Sequence, residues 1–198
     1  MIPLKDVLAI AKEDEGYRED YLTCLYEQVA KLPNKSIVVE IGCYKGMSTL
    51  AMAGAIEGTD SHIFTIDPIF ITGEITYPDS LNGQWTLQSS VNKVRSLWAR
   101  VGVNYYITVM ADYSWNVLQR WDKGLLDYIL VDGEHTYNAV IRDCEWIGLL
   151  KKNRRAFFDD WIAEVSQAVE EYASIHPECQ LVQYGKPPEH LCLSYIQK

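Results

Sequence analysis

The stretch VDGEHTY, residues 131–137, holds Asp132, Glu134 and His135 within four positions. Carboxylates and an imidazole this close can bind a cation or move a proton. The apolar run LLDYIL leads straight into them, so polar chemistry closes what reads as a buried strand.

Other acids stand in comparable places. EIGCYKGMS (40–48) sets Glu40, Gly42 and Gly46 ahead of a helical run. Glycines there let backbone approach a ligand, and a helix N-terminus offers free N–H groups to an anion. The spacing E-x-G-x-x-x-G is not the G-x-G-x-x-G of dinucleotide sites, which argues against a nicotinamide oxidoreductase. Asp67 follows about twenty residues later, where an acid commonly accepts the hydroxyls of a ribose. Asp112, Asp132 and the pair Asp159–Asp160 end the next three strand-like runs. Any one of these is most simply a helix cap or turn former. As a series they mean more, because an acid lies in or just after each of the first five strands.

Asp132, Asp159 and Asp160 converge if strands four and five are neighbours. Three carboxylates in one pocket repel, and at least one is pushed to keep its proton. A hard cation such as Mg²⁺, bound through oxygens, removes that conflict. The plainer alternative turns Asp159 away and leaves Asp160 to cap the next helix.

These residues need a frame to hold them. LKDVLAIAKED and REDYLTCLYEQVAKL have helical periodicity, with Leu4, Val7, Leu8 and Ala11, then Tyr21, Leu22, Leu25, Val29 and Leu32, on their apolar faces. Strands are predicted at 36–42, 62–67, 105–110, 125–132 and 155–161, alternating with helices at 48–57, 86–101, 114–121, 136–152 and 162–175. QLVQYG and LCLSYIQ close the chain as two more strands. Alternation of this kind gives βαβ units. The expected fold is α/β: a doubly wound, Rossmann-like, mostly parallel seven-stranded sheet with helices on both faces and two N-terminal helices. The last connection is short, so the last strand is expected to be antiparallel. Residues 68–85 are rich in Gly and Pro and long for a connection, which suits a substrate loop.

The totals fit one domain over 1–198, with 48% hydrophobic residues and a net charge of −9. An acidic chain is a poor partner for nucleic acid. KKNRR (151–155) reads as the solvated end of a helix, where cations suit the dipole. No apolar run reaches membrane length. Five cysteines, none in a C-x-x-C pair, indicate a reducing, cytoplasmic setting without a disulfide framework. Exposed apolar surface on the N-terminal helices would suit a homodimer.

VVEIGCYKGMSTL resembles motif I of class I S-adenosylmethionine-dependent methyltransferases, in the form found in catechol O-methyltransferase and its metal-dependent relatives. VDGEHTYNAVIRDCEWIGLLKK…FFDDW resembles more closely the macrocin O-methyltransferase-like group, which methylates sugar hydroxyls. That group has an Asp-Gly-acid-His-x-Tyr stretch, a helix with an internal Asp (here Asp143) and a paired Asp after the fifth strand. The resemblance covers roughly residues 36–161. It implies that Gly42, Tyr44, Gly46 and Ser48 hold the methionine end of the cofactor, with Glu40 near its amine. It likewise puts Asp67 on the ribose, Asp112 by the adenine, and Asp132, Asp159 and Asp160 on Mg²⁺. His135 falls at the position of the catalytic base, and Glu134 is an alternative base. The family's usual PGG turn before the fifth strand is replaced here by KKNRR.

The implied reaction is methyl transfer to a hydroxyl of a small molecule. A vicinal sugar diol or catechol would chelate the metal, and Tyr77, Trp85, Tyr137 and Trp161 are candidates to stack on it. Two alternatives stay open: a metal-independent methyltransferase, and a cofactor-binding protein without turnover.

Overall fold

β-branched runs pair at the centre of the chain's fold. The computed structural model describes residues 1–13, 18–68, 88–184 and 193–198. Its strands are β1 (Ile37–Ile41), β2 (His62–Ile66), β3 (Ile107–Met110), β4 (Leu126–Val131), β5 (Leu150–Phe158), β6 (Gln180–Tyr184) and β7 (Leu193–Gln197). They form one sheet in the order β3-β2-β1-β4-β5-β7-β6. Strands β1 to β5 pair in parallel, and β7 runs antiparallel between β5 and β6. The expected architecture holds, including the reversed last strand.

Alternate residues of each strand feed opposite faces. Val38, Tyr128, Leu130 and Phe157 join one core, with α1 (Leu4–Ala11), α2 (Glu19–Ala30), α3 (Met47–Ile56) and α4 (Gln88–Arg100). Val39, Ile41, Ile129 and Phe158 join the other, with α5 (Ser114–Gln119), α6 (Tyr137–Asp143) and α7 (Ala163–Ile175). Both N-terminal helices pack against α3, and Val7, Ala11, Leu22, Leu25 and Val29 are buried there. Much of the apolar faces that suggested a dimer is therefore covered within the chain, while Leu4, Leu8 and Leu32 stay partly exposed.

Two expectations need correction. The helix predicted over 136–152 ends at Asp143 and continues only as a 3₁₀ turn, Cys144–Leu149. KKNRR is not a helix end but part of β5: its backbone bonds Lys198 beyond β7, and a buried acid holds its cations. Asp127 of β4 is 1% exposed. It accepts from Ile37 N at 3.1 Å and from Lys151 Nζ at 2.7 Å, with Arg154 Nε 3.4 Å away. A buried carboxylate requires such partners. This cluster sits at the amino end of β4, away from the acids of interest.

Beyond Pro68, the loop expected over 68–85 lies outside the described residues, with Tyr77 and Trp85. Cys24, Cys43, Cys144 and Cys179 are free thiols. Among the described residues, no helix is long and apolar enough to cross a membrane.

Candidate active site

The parallel ladder runs one residue past the strands and lines up the acids. Asp67 N donates to Met110 O, Gly42 N to Ile66 O, Asp132 N to Ile41 O and Asp159 N to Val131 O, at 2.8–3.2 Å. Asp67, Gly42, Asp132 and Asp159 thus stand in one rank along the carboxyl edge of four neighbouring strands. Ligands of such sheets bind at this edge.

On one side of the rank lies the glycine loop. Gly42 has φ +90°, and a Cβ there would lie 2.0 Å from Asp132 O. Its role goes beyond admitting a ligand: it lets the ends of β1 and β4 touch. Gly46 has φ +77°, and its carbonyl accepts from Trp98 Nε1 at 3.0 Å, which fastens α4 over the loop. Between them, Tyr44 takes φ +45° and is 44% exposed. Asp67 Oδ2 accepts from Cys43 N and Tyr44 N at 2.8 and 3.0 Å. One oxygen of the proposed ribose acid therefore shapes the loop itself.

Beneath the loop, Glu40 is fully buried. Thr49 Oγ1 donates to its Oε2, and Ser48 is buried nearby. Among the described residues, its Oε1 has no hydrogen-bond partner. Burial pushes the Glu40 carboxyl up to about 7, against the pull of the Ser48 and Thr49 hydroxyls. An orphaned acceptor under a helix N-terminus fits a ligand that brings an amine, such as the methionine end of S-adenosylmethionine.

The raised value makes a stability prediction. The fold prefers protonated Glu40, so its contribution is present below about pH 4.5 and lost as pH rises through about 7. Glu40→Gln removes that loss. Without ligand, the variant should gain on the wild type by up to about 3 kcal/mol between pH 5 and pH 8 in urea unfolding. An equal gap at both pH values would refute it.

Asp112 is occupied locally. It accepts from Tyr113 N and Asn116 Nδ2 at 2.8 Å and from Arg120 at 2.6 Å, and these partners hold its carboxyl below the usual range. These bonds tie it to Asn116 on α5 and to Arg120 just past its end. Beside it, Tyr113 stacks on Trp115 with ring centroids 4.6 Å apart.

On the other side of the rank are the remaining acids. His135 Nε2 lies 3.7 Å from both Asp132 Oδ1 and Asp160 Oδ2. Asp132, with Asp160 and Asp159 behind it, raises the imidazole above its ordinary value against the effect of partial burial. Asp160 reaches His135 from a left-handed backbone, φ +48°. Glu134 is exposed and accepts from Thr136 Oγ1 at 2.9 Å. His135, rather than its neighbour, meets the acid cluster.

Two residues that composition did not single out complete the cluster. Arg18 donates to both oxygens of Asp159, at 2.7 and 3.2 Å, and lies 3.8 Å from Asp160 Oδ1. Tyr21 Oη donates to Asp132 Oδ2 at 2.7 Å. Asp159 is 2% exposed; burial and Asp132 raise its carboxyl, and Arg18 partly offsets them. Periodicity put Tyr21 on the core face but said nothing of its hydroxyl. The sequence did hold one signal for Arg18: a cation at a helix N-terminus opposes the dipole and calls for an anion nearby. Asp143, the internal acid of the helix after β4, stands nearby. It is buried behind Gly133, accepts from Ser114 Oγ, and is pushed by burial to about 7.

Every oxygen of Asp132, Asp159 and Asp160 therefore faces a group of the chain itself: Tyr21, Arg18 or His135. Among the described residues, no three or more His, Cys, Asp or Glu side chains are placed to hold a metal ion. This arrangement does not fit the Mg²⁺ shell expected from the sequence. Of the expected stacking residues, Tyr137 is tied to α7 through Glu171 and Glu164, and Trp161 packs against the core.

No curated protein matches the sequence. Solved structures share the fold at low identity. The O-methyltransferase TomG from Streptomyces achromogenes, solved with SAM, is 14% identical at a TM-score of 0.67, over 98% of this chain and 88% of that one. The SAH-bound methyltransferase PaMTH1 from Podospora anserina is 17% identical at 0.66, over 99% and 88%. The O-methyltransferase from Bacillus cereus, in complex with SAH, is 14% identical at 0.66, over 98% and 90%. A family model described as a methyltransferase domain matches residues 39–161, more than half of the chain and the whole span from β1 to the paired aspartates. The chain belongs to the methyltransferase-domain family.

Proposed function

We propose that this chain transfers a methyl group from S-adenosylmethionine to a hydroxyl oxygen of a small molecule. One observation carries the reading: His135 Nε2 stands between Asp132 and Asp160, on the edge that also holds the glycine loop. The structural relatives solved with SAM or SAH agree with the choice of cofactor.

The cofactor supplies a methyl group on an electron-poor sulfonium. Gly42, Tyr44, Gly46 and Ser48 would hold its methionine end, with the unpartnered Glu40 Oε1 facing the amine. Asp67 would serve the ribose, and Asp112 would fix α5 beside the adenine. His135 takes the proton of the acceptor hydroxyl as the oxygen attacks. Asp132 and Asp160 orient the ring and stabilise the imidazolium. Alignment of donor and acceptor supplies much of the rate.

The expected preference for a vicinal diol rested on chelation of a metal. With Arg18 and Tyr21 on the aspartates, a single sugar or phenolic hydroxyl is sufficient.

Calorimetric titration of S-adenosylmethionine tests the reading first. Binding at about micromolar Kd is expected, followed by methylation of some member of a hydroxyl panel. No binding to the folded protein would sink it.

A further inference from the structure

We propose that Arg18 is the resident cation of the acidic pocket, standing in for a divalent metal, so that methyl transfer here proceeds without Mg²⁺. The argument begins with Asp159, which is nearly fully buried and cannot be left ionised without a partner. A guanidinium meets a carboxylate through two parallel N–H bonds, and both oxygens of Asp159 are engaged in that way. The same guanidinium lies 3.8 Å from Asp160 Oδ1. Its Cζ is 4.5 Å from the centre of the Tyr21 ring, and the Tyr21 hydroxyl holds Asp132. Arg18 thereby neutralises Asp159, faces Asp160 and backs the tyrosine that holds Asp132. A divalent ion seated among them would have to displace the fork of Arg18 and then sit beside its charge. The placement is costly for the helix, since Arg18 occupies the N-cap of α2, where positive charge is disfavoured. A single site that needs the cation accounts for it.

The claim about turnover rests on the proposed function, but occupancy of the pocket is separable from it. The test is electron paramagnetic resonance of Mn²⁺ titrated into the full chain. The wild type should leave Mn²⁺ as the free aquo ion at sub-millimolar concentrations. Arg18→Ala should expose the carboxylates and gain a site at least about tenfold tighter. Adding Asp159→Asn to it should abolish that site. Arg18→Lys, which keeps the charge, should again keep Mn²⁺ out, a rescue that a purely structural role would not give. If Arg18→Ala does not fold, Arg18→Gln keeps the length and donors without the charge and carries the same expectation. Micromolar Mn²⁺ binding by the wild type would overturn the proposal without any variant. A folded Arg18 variant that gains no site would also overturn it. Neither result depends on S-adenosylmethionine, whose own titration tests the function.

Discussion

Replacing His135 with glutamine is expected to cut turnover by about 10²–10⁴-fold while leaving S-adenosylmethionine affinity within about threefold. Glutamine retains size and polarity but cannot accept and carry the acceptor's proton. The cofactor's proposed contacts lie on β1, the loop after it, the start of α3 and the residues just after β2 and β3, so they survive the change. The wild type carries a further signature. Neutral imidazole is the working base, and Asp132 raises its pKa above the ordinary 6.5. Below that raised value most of the ring is protonated and idle, so kcat should climb with pH and level off only above it. The climb should vanish in His135→Gln, whose residual rate comes from alignment alone. Turnover within about fivefold of wild type would remove His135 as the base and return attention to Glu134.

The fold was legible because its signals are local. Short apolar runs between helical stretches compel a parallel sheet, and the short final connection compels a reversed strand. The boundary at 136–152 was not legible, for a physical reason. KKNRR has the charge of a helix terminus, and its partners in β5 are distant in sequence: the buried Asp127 of β4 and the backbone of Lys198. The candidate site divides in the same way. Acids at strand ends can be counted from the sequence, and the rank of Asp67, Asp132 and Asp159 follows from strand order. What the acids face cannot be counted. Arg18 lies 141 positions from Asp159, and Tyr21 lies 111 from Asp132. Repulsion among three carboxylates was a sound inference, but it specifies only that a positive charge is needed. A metal and an arginine both satisfy it.

Gly42→Ala is expected to lower stability by about 3–5 kcal/mol in urea unfolding, a large share of what a domain of this size possesses. The sequence offered Gly42 as a residue that lets a ligand approach. The larger demand comes from the protein. An added Cβ would meet Asp132 O at 2.0 Å, Asp132 C at 2.5 Å and Gly133 Cα at 2.8 Å. All three are backbone, so no rotamer change can relieve the contact. Nor can the strands separate cheaply, because β1 and β4 are central and the bond from Asp132 N to Ile41 O ties their ends together. The left-handed φ of +90° adds strain for any residue with a side chain. Relief would require moving Asp132, and with it the turn that carries His135. Whatever fraction of Gly42→Ala folds should therefore lose turnover as well. A loss below about 1 kcal/mol would mean that the carboxyl edge is softer than its ladder implies. The positions of Asp132 and His135 would then owe less to Gly42 than to Tyr21 and Arg18.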